Sequence, residues 1–407
     1  MKKIVLITTG QPSTNPRLVK EADALYDAGY DVTVLYSFWD DWALKSDEVL
    51  LRDKKWKYQL IGGTPYSSKW LYRFTKIRNK LAKQFYNIYA LPKVLPYIYC
   101  RSYVELLQVA KQLHADLYIA HNLGALPIAA KVASIHNTKY AFDAEDYHRG
   151  EQAKDTKEYR AKTILEDSFI PGNVYLSTAS PLMGSLYCKH YPNNNVIVIN
   201  NVFPSRNKYN KEQDDQKMKL FWFSQTIGKN RGIEDVIHAM GNIGKQNIIL
   251  TLLGKSSEQN RRYFKKIASD IGLRANQLVF LDAIPPEEIF LIGDKQDIGL
   301  ALEVPHCENR DICLTNKIFT YLLSGLAIIA SETSAQKQFM EVYPKIGQTF
   351  PVGNITALEG ILIFLSENID VLKTYKKNAL ELGKNELNWE QESEKLLSAV
   401  NNVFAQE

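Results

Sequence analysis

Short apolar runs alternate with helical patterns along most of the chain, and this alternation predicts two parallel-sheet domains. The first unit of this kind is an apolar run at Lys3–Thr9, a helical pattern that ends at Gly29, and a second run at Asp31–Tyr36. The same order recurs in the second half from Leu220–Phe223 onward. Strands that alternate with helices in this way pair in parallel, with helices on both faces of the sheet. We therefore predict an α/β protein with two Rossmann-like, doubly wound domains that face a central cleft.

The boundary between the two domains is predicted at a polar segment in the middle of the chain. The last strand pattern of the first half is Val196–Ile199, and the polar run Ser205–Lys217 is typical of a linker. The first domain is thus expected to span residues 1–204 and the second residues 205–387. A final helical pattern, at about 388–407, is expected to pack back on the first domain.

A polar loop between two apolar strands is the strongest candidate for chemistry. The strand Asp297–Leu302 ends at Glu303, the loop contains Glu308, and a helical pattern starts at Asn316 and Lys317. The loop therefore opens at the carboxyl end of a parallel strand, where ligands bind in open α/β sheets. The free amides at the helix start, together with a lysine, suit a diphosphate. An ordinary capped helix is the alternative, because caps are commoner than anion sites.

Residues with useful chemistry also follow strand patterns in the first half. His121 and Asp146 each come after an apolar run, at the edge where a parallel sheet binds ligands, although a lone histidine is more often structural. Arg17 stands at the start of the first helix, where it could meet an anionic acceptor or be a solvated surface residue. The first loop has only Gly10 of the dinucleotide fingerprint, so NAD binding is unsupported.

A long stretch from Lys54 to Val104 contains no acidic residue. Within it, an apolar stripe at helical spacing lies beside a basic one. The apolar stripe is Trp70, Phe74, Ile77, Leu81, Phe85 and Ile88, and the basic stripe is Lys69, Arg73, Lys76, Lys80 and Lys83. This pattern favours a helix on an anionic lipid surface. A core-packing helix with a solvated basic flank is the alternative, and nucleic acid is a weaker one that nothing else in the chain supports.

Composition narrows the class without naming a function. The 407 residues are 45% hydrophobic and 23% charged, as in a soluble globular protein, and this length suggests two cores. A net charge of +5 is modest and argues against a general nucleic-acid binder. The four cysteines show no metal-ligand spacing, so no metal site is predicted. Because the first apolar run is too short for an export signal and no run is long enough to span a bilayer, we expect a cytoplasmic protein that is peripheral on the inner face of the cytoplasmic membrane.

Five stretches are similar to motifs of the retaining glycosyltransferases of family 4, which have the GT-B fold. The stretches are HNLGALPIAAKVA at 121–133, FDAED at 142–146, VIVINNV at 196–202, SQTIGKNRG at 224–232 and LTNKIFTYLLSGLAIIAS at 314–331. None is as specific as a Walker loop. Their order and spacing across nearly the whole chain carry the resemblance.

The resemblance also implies how a donor diphosphate would be bound. In the family, an arginine and then a lysine after the first strand of the second domain contact the diphosphate. Gln225 and Arg231 stand in these places here, so the positive charge is kept at Arg231 only. Lys229 or Lys317 is therefore expected to supply the missing charge.

Two further family features concern the donor sugar. The family histidine that contacts this sugar matches His121. The two family glutamates, eight positions apart, are replaced by Ile312 and Thr320. Glu303, Glu308 or Asp311 could supply a carboxylate from the same loop.

The resemblance implies a retaining glycosyltransferase that moves a sugar from a nucleotide-sugar donor to a lipid-linked or other saccharide acceptor in surface polysaccharide synthesis. No cofactor or metal is expected, because helix dipoles and basic side chains can stabilise the leaving diphosphate. The expected site residues are His121, Glu303 and Glu308 for catalysis; Gly10, Ser224, Gln225, Lys229, Arg231, Lys255, Asn316, Lys317 and Thr320 for the donor; Arg17 and Asp146 for the acceptor; and Lys69, Trp70, Arg73, Phe74, Lys76 and Lys80 for the membrane. A catalytically silent scaffold and a sugar-nucleotide epimerase on the same fold are the alternatives.

Overall fold

The chain forms two units, and a computed structural model describes residues 1–206, 217–245 and 247–405 of it. The first unit comprises Met1–Ile199 and the C-terminal segment that begins at Ser393, and the second comprises Asn200–Glu392. The boundaries predicted between the two units were residue 204 and about residue 388. Most of the expected linker, Ser205–Lys217, lies outside the described residues. Within the described ranges, no helix is both long enough and apolar enough to cross a bilayer.

The first unit contains a seven-stranded sheet in which all neighbouring strands are parallel. Its strands are β1 (Lys3–Thr8), β2 (Asp31–Ser37), β3 (Lys57–Ile61), β4 (Leu117–His121), β5 (Lys139–Ala144), β6 (Leu176–Thr178) and β7 (Val196–Val198). Their order in the sheet is β3-β2-β1-β4-β5-β6-β7. Strands β1, β4 and β5 are buried on both faces, which explains their nearly continuous apolar sequences.

Helices connect these strands, as parallel pairing requires. They are α1 (Pro16–Asp27), α2 (Asp41–Arg52), α3 (Lys69–Tyr89), α4 (Leu95–Tyr99), α5 (Tyr103–Gln112), α6 (Leu126–His136), α7 (Lys157–Phe169) and α8 (Pro181–His190). Local chemistry sets where α1 begins. Pro16 occupies its first turn, and the Asn15 side chain accepts a hydrogen bond from the Leu18 amide at 2.9 Å.

The second unit repeats this plan with six parallel strands. They are β8 (Met218–Thr226), β9 (Ile248–Lys255), β10 (Leu278–Leu281), β11 (Ile298–Ala301), β12 (Ala327–Ser331) and β13 (Gly347–Phe350), in the order β10-β9-β8-β11-β12-β13. The helices are α9 (Ile233–Ile243), α10 (Glu258–Asp270), α11 (Ile289–Gly293), α12 (Glu308–Ile312), α13 (Asn316–Leu323), α14 (Ser334–Val342), α15 (Ile355–Glu367), α16 (Ile369–Asn385) and α17 (Trp389–Ala405). Most of α17, from Ser393 onward, belongs to the first unit, where Tyr30 donates a hydrogen bond to the Asn401 side chain at 2.5 Å.

The strand order reverses once in each sheet, between β1 and β4 and between β8 and β11. At such a point the connecting loops on either side diverge and leave a crevice at the carboxyl edge of the sheet. The prediction of two Rossmann-like α/β units is therefore confirmed. The residues that follow β1, β4, β8 and β11 are the ones to examine for a site.

Gly299 in β11 allows the close packing of α13 on the second sheet. A Cβ atom at this position would lie 2.2 Å from Cγ of Tyr321, whose ring is fully buried and whose hydroxyl donates to the Leu300 carbonyl. We expect Gly299→Ala to lower the unfolding free energy of the second unit by about 1–3 kcal/mol, because a buried aromatic ring must shift. Gly360→Ala is the matched control, since nothing lies within 4 Å of its added Cβ. Equal melting temperatures for the two variants would contradict this account.

Candidate functional site

The first unit holds four ionisable side chains in one buried cluster, which we call the buried quartet: Arg17, Glu21, His121 and Asp143. All four are 0% exposed. Arg17 Nη2 lies 2.7 Å from Asp143 Oδ1, and Arg17 Nε lies 3.5 Å from Glu21 Oε1. His121 stands between the carboxylates, with Nε2 and Nδ1 each 3.3 Å from an oxygen of Glu21 and Asp143 respectively. The quartet thus pairs two cations with two carboxylates.

The pKa shifts follow from this pairing. Burial by itself lowers the pKa of His121, but the charges of Glu21 and Asp143 outweigh it and raise the pKa to about 10. Burial likewise opposes the charged form of Asp143, yet Arg17 and His121 hold its pKa well below the usual range. His121 is therefore an imidazolium at neutral pH, and its role in the quartet is that of a fixed cation.

Glu21, His121 and Asp143 are close enough together to share a metal ion. The donor set does not favour one, because the Arg17 guanidinium already pairs with both carboxylates, at 2.7 Å from Asp143 and 3.5 Å from Glu21. The Ser177 hydroxyl donates a further hydrogen bond to Asp143 at 2.6 Å. The cluster is thus a buried ion network, in which the His121 nitrogens and the Glu21 oxygens interact by charge at 3.3–3.5 Å and have no geometric hydrogen bond.

The quartet changes the expected roles of two residues. Arg17 was expected at a surface where it could meet an acceptor, but it is buried and also donates to the Ile199 carbonyl at 2.5 Å. His121 was expected to contact the donor sugar, but each ring nitrogen faces a carboxylate of its own unit. Both expectations are corrected, because the Arg17 guanidinium and the His121 ring face carboxylates of their own unit.

Glu21 and Asp143 were missed by sequence reasoning. One signal was available: Arg17 and Glu21 are four residues apart, on the helix face that also carries the buried Leu18 and Leu25. Such a charged pair among core positions indicates a buried partner.

Two other expected residues of the first unit remain near the carboxyl edge of the sheet. Gly10 follows β1, and its amide lies 3.3 Å from the Thr8 hydroxyl. Asp146 is exposed after β5. Beside it, burial together with the Asp143 charge raises the pKa of Glu145 to about 7. The contact of Asp146 with an acceptor stays a prediction.

In the second unit, the loop after β8 presents exposed cations. The pairing of β8 with β9 is irregular between Phe223 and Thr226, and such a bulge re-aims the side chains around it. Gln225 is exposed there, and Ser224 accepts a hydrogen bond from exposed Arg231 at 3.0 Å. The loop end is therefore ordered around Arg231.

Two more lysines extend this positive surface. Lys229 is exposed and its ammonium lies 4.0 Å from the centre of the Tyr263 ring. Lys255 is exposed at the end of β9, the strand next to β8. We refer to Lys229, Arg231 and Lys255 together as the cation cluster.

Helix α13 begins at the same edge of the second sheet as this cluster. Thr315 is its N-cap residue, yet no side chain caps the first turn, and Asn316 is exposed. The loop after β8 approaches the loop after β11 at Gly232, where an added Cβ would lie 3.3 Å from Cβ of Leu302, the residue before Glu303. An uncapped helix start and the cation cluster thus share one edge of the second sheet.

Lys317 lies at the predicted helix start, but its side chain is buried. It lies in α13, is 8% exposed, and its ammonium donates to Glu303 Oε1 at 2.5 Å. Glu303 is 9% exposed, so its carboxylate is engaged by Lys317 before any donor is present. The two residues form one buried ion pair.

The remaining expected residues of this loop are partly corrected. Thr320 is 1% exposed and its hydroxyl donates to the Asn316 carbonyl at 3.0 Å, so it is not available to a donor. Ile312, in the place of the other family glutamate, is also buried. Glu308 is half-buried at the start of α12, where its catalytic role stays a prediction.

Helix α3 exposes the apolar stripe that sequence analysis found. Its buried residues are Thr75, Ala82 and Tyr86, on another face. The exposed stripe comprises Trp70 at 83%, Phe74 at 58%, Ile77 at 58%, Leu81 at 47%, Phe85 at 51% and Ile88 at 70%. The core-packing alternative is therefore wrong for this stripe, within the part of the chain that the structure describes.

The basic stripe of α3 is also exposed at Lys69, Arg73, Lys76, Lys80 and Lys83. An open groove of about 440 Å³ lies at the start of the helix. It is lined by Pro65, Lys69, Tyr72, Arg73, Lys76 and Ile77. Three cations and apolar side chains thus meet at one accessible surface.

Comparison with known proteins supports the fold. No protein-family model and no curated protein sequence matches the chain. Among solved structures, HepE of Anabaena in complex with UDP-glucose is 14% identical, with a TM-score of 0.68 over 99% of this chain and 100% of that one. A point mutant of S. aureus TarM in complex with fondaparinux, α-GlcNAc-glycerol and UDP is 11% identical, with a TM-score of 0.67 over 98% and 100%. WaaG, a glycosyltransferase involved in lipopolysaccharide biosynthesis, is 12% identical, with a TM-score of 0.60 over 97% and 98%.

These likenesses, together with the two parallel sheets, show that the chain has the GT-B fold. The identities are too low to carry more than the fold. Any activity and any ligand therefore depend on the residues at the site and not on the fold alone.

The buried quartet predicts a pH dependence of stability. The folded-state pKa of His121 is raised from 6.5 to about 10, so its stabilising charge is fully present below about pH 6.5 and is lost as the pH rises towards 10. We expect His121→Gln to lower stability at pH 6 and to flatten the fall in stability between pH 7 and 10, as measured by urea unfolding. His306→Gln, at an exposed histidine, is the control. If the wild-type slope persisted in His121→Gln, the quartet would not be its source.

Proposed function

We propose that the protein is a retaining glycosyltransferase that moves a sugar from a nucleotide-sugar donor to a lipid-linked saccharide acceptor in surface polysaccharide synthesis. The observation that carries the proposal is that the cation cluster and the start of α13, which no side chain caps, lie at the same edge of the second sheet. A diphosphate needs several positive groups that are fixed before the reaction, and this edge of the second sheet supplies them. HepE and TarM, which share the fold, are in complexes with UDP-glucose and with UDP.

The reaction would proceed without a protein nucleophile. Arg231 and the amides at the start of α13 would stabilise the negative charge that develops on the leaving diphosphate. The acceptor hydroxyl would attack the anomeric carbon from the face that the diphosphate leaves. Its proton would pass to the departing diphosphate oxygen, so the configuration is retained and the charges balance.

Lys317 would contact the diphosphate while it remains paired with Glu303. Its ammonium keeps donors beyond the one given to Glu303, and it lies 6.0 Å from the centre of the Trp222 ring. A diphosphate at the helix start would complete its hydrogen bonds. In this proposal, Lys317 supplies the positive charge that the family has at the position of Gln225. Lys229 adds a second positive charge at the surface.

One observation favours a catalytically silent scaffold instead. The two family carboxylates are absent, with Ile312 and Thr320 buried in their places, and Glu303 is already paired. A scaffold of this kind would not release UDP from UDP-sugars. A sugar-nucleotide epimerase would change the donor without an acceptor, so product analysis with donor alone, and then with donor and acceptor, separates all three.

Arg231 is the residue whose loss should most directly affect the diphosphate. We expect Arg231→Ala to weaken UDP binding by about tenfold or more, because a charge-assisted hydrogen bond to phosphate is lost at an exposed position that the fold does not need. The measurement is calorimetry, with the UDP-induced rise in melting temperature as a second readout.

Arg262→Ala is the matched control, since Arg262 is an exposed arginine of the same unit on α10. Lys317→Met should be tested together with Glu303→Gln, because removal of the lysine alone leaves a buried carboxylate unpaired. Unchanged UDP affinity in Arg231→Ala and in the double variant would remove the proposed diphosphate site.

We further propose that α3 holds the protein on an anionic membrane. Six exposed apolar side chains beside five exposed cations match the two parts of a lipid surface, its acyl boundary and its phosphate head groups. The groove at Lys69, Arg73 and Lys76 would take a head-group phosphate. An acceptor carried on a lipid would then be presented at the same surface.

Neutralising the basic stripe should release the protein from the membrane. Each cation near an anionic surface contributes about 1 kcal/mol, so changing Lys69, Arg73, Lys76 and Lys80 to Gln should lower partitioning onto phosphatidylglycerol vesicles by about two to three orders of magnitude. Vesicle co-sedimentation measures this. The control changes four exposed lysines of the second unit, Lys265, Lys266, Lys373 and Lys377, to Gln. Equal release by both sets would mean that net charge, and not α3, governs binding.

A further inference from the structure

Three exposed aromatic side chains stand at the carboxyl edge of the first sheet, apart from the buried quartet and from the stripe of α3. We call them the aromatic rim: Trp39 is 72% exposed, Trp42 is 52% and Tyr66 is 65%. Trp39 follows β2, Trp42 lies in the first turn of α2, and Tyr66 follows β3. Exposed aromatic groups gathered at one place on a protein surface mark a binding site.

The backbone beneath the rim is held by buried hydrogen bonds. Gln11 is 0% exposed, and its side-chain carbonyl accepts from the amides of Trp39 at 2.9 Å and Asp40 at 2.8 Å. The amide group of Gln11 donates to Asp47 at 2.9 Å. The Trp39 segment is therefore fixed to the loop after β1.

The Tyr66 segment is fixed in a similar way. The Thr64 hydroxyl accepts from the amides of Tyr66 at 3.1 Å and Ser67 at 2.8 Å, which closes a tight turn. Arg101 joins the two segments, because its guanidinium donates to the carbonyls of Gly62 at 2.8 Å and Phe38 at 3.4 Å. The rim is thus preorganised, and a ligand would not have to order it.

The polar groups beside Trp39 and Trp42 are acidic. Asp40 and Asp41 are exposed between Trp39 and Trp42, and the Asp41 carboxylate raises the pKa of the nearby Tyr66 hydroxyl. Carboxylates accept hydrogen bonds and repel anions. The rim therefore differs from α3, where aromatic side chains alternate with lysines and arginines.

We propose that the aromatic rim binds a neutral saccharide chain, which would be the growing acceptor; this rests on the proposed function. A pyranose ring has an apolar face of C–H groups that stacks on an indole or phenol ring. Its hydroxyl groups are donors, which match the carboxylates of Asp40 and Asp41. An anionic membrane matches the aromatic groups but is repelled by these carboxylates.

The test uses the six tryptophans of the full chain as reporters. Protein labelled with 5-fluorotryptophan gives fluorine NMR signals that single Trp→Phe changes assign. The probes are maltohexaose, chitotetraose and phosphatidylglycerol vesicles. We expect one of the two oligosaccharides to shift the signals of Trp39 and Trp42, while the buried Trp56, Trp222 and Trp389 stay unchanged. Vesicles should instead broaden the signal of Trp70 on α3.

Substitutions then test the contact itself. Trp39→Ala should raise the dissociation constant of the oligosaccharide by about tenfold or more, and Trp39→Phe should largely keep the affinity because it keeps a stacking ring. Trp70→Ala is the matched control with an exposed tryptophan outside the rim, and its saccharide affinity should be that of the wild type. Far-ultraviolet circular dichroism confirms that each variant is folded.

The proposal is overturned if neither oligosaccharide moves the Trp39 and Trp42 signals at millimolar concentration. It is equally overturned if vesicles alone perturb these signals as strongly as that of Trp70, since the rim would then be part of the membrane surface. UDP binding, measured on the same samples, separates this result from the proposed function. Saccharide binding without UDP binding would remove the donor site and leave the rim in place.

Discussion

Parallel pairing of every neighbouring strand is the constraint on which both units depend. It requires each connection to cross over the sheet through a helix, and it brings the carboxyl ends of all strands to one edge. Residues distant in sequence therefore meet there: Thr8 is paired with His121 across β1 and β4, and the loop after β8 meets the residue after β11 through Gly232 and Leu302. Because the strand order reverses at these same pairs, the edge is also open at that point. The strand order, and not any single side chain, thus determines which edge of each sheet can bind a ligand.

The two units use this edge in opposite ways. In the first, the crevice is filled by the protein itself, because Arg17 and His121 neutralise Glu21 and Asp143 out of reach of water. Such a network gains its strength from low dielectric surroundings and becomes strongly unfavourable if one member is removed. In the second, Lys229, Arg231 and Lys255 are exposed, whereas Lys317 is paired with Glu303. Charge that is already balanced orders a structure, whereas charge left exposed is available to a ligand.

Sequence patterns predicted the strands that are buried on both faces and the helices between them, but they missed β3 at one edge of the first sheet. Strand β3 was not predicted because Lys57, Tyr58 and Gln59 are all exposed, so the strand carries no apolar run. His121 was predicted at the end of a strand, and β4 does end there, whereas the functional role of Arg231 stays a prediction. The partners of the buried charges could not be predicted from the sequence, since Arg17 and Asp143, for example, are 126 residues apart and nothing local links them. The pairing of Lys317 with Glu303 was likewise not predicted.

Exposed aromatic side chains on the first unit raise a question of cause, because water disfavours each of them. On α3 the packed face is formed by Thr75, Ala82 and Tyr86, while larger apolar groups such as Trp70 and Ile88 point outward. Folding alone would select the reverse arrangement. The neighbouring charge then distinguishes the partners: cations beside α3 suit phosphate, and the carboxylates of Asp40 and Asp41 beside Trp39 suit hydroxyl donors. A lipid-linked saccharide carries both groups on one molecule, so two adjacent surfaces of opposite charge are what recognition of such an acceptor would require.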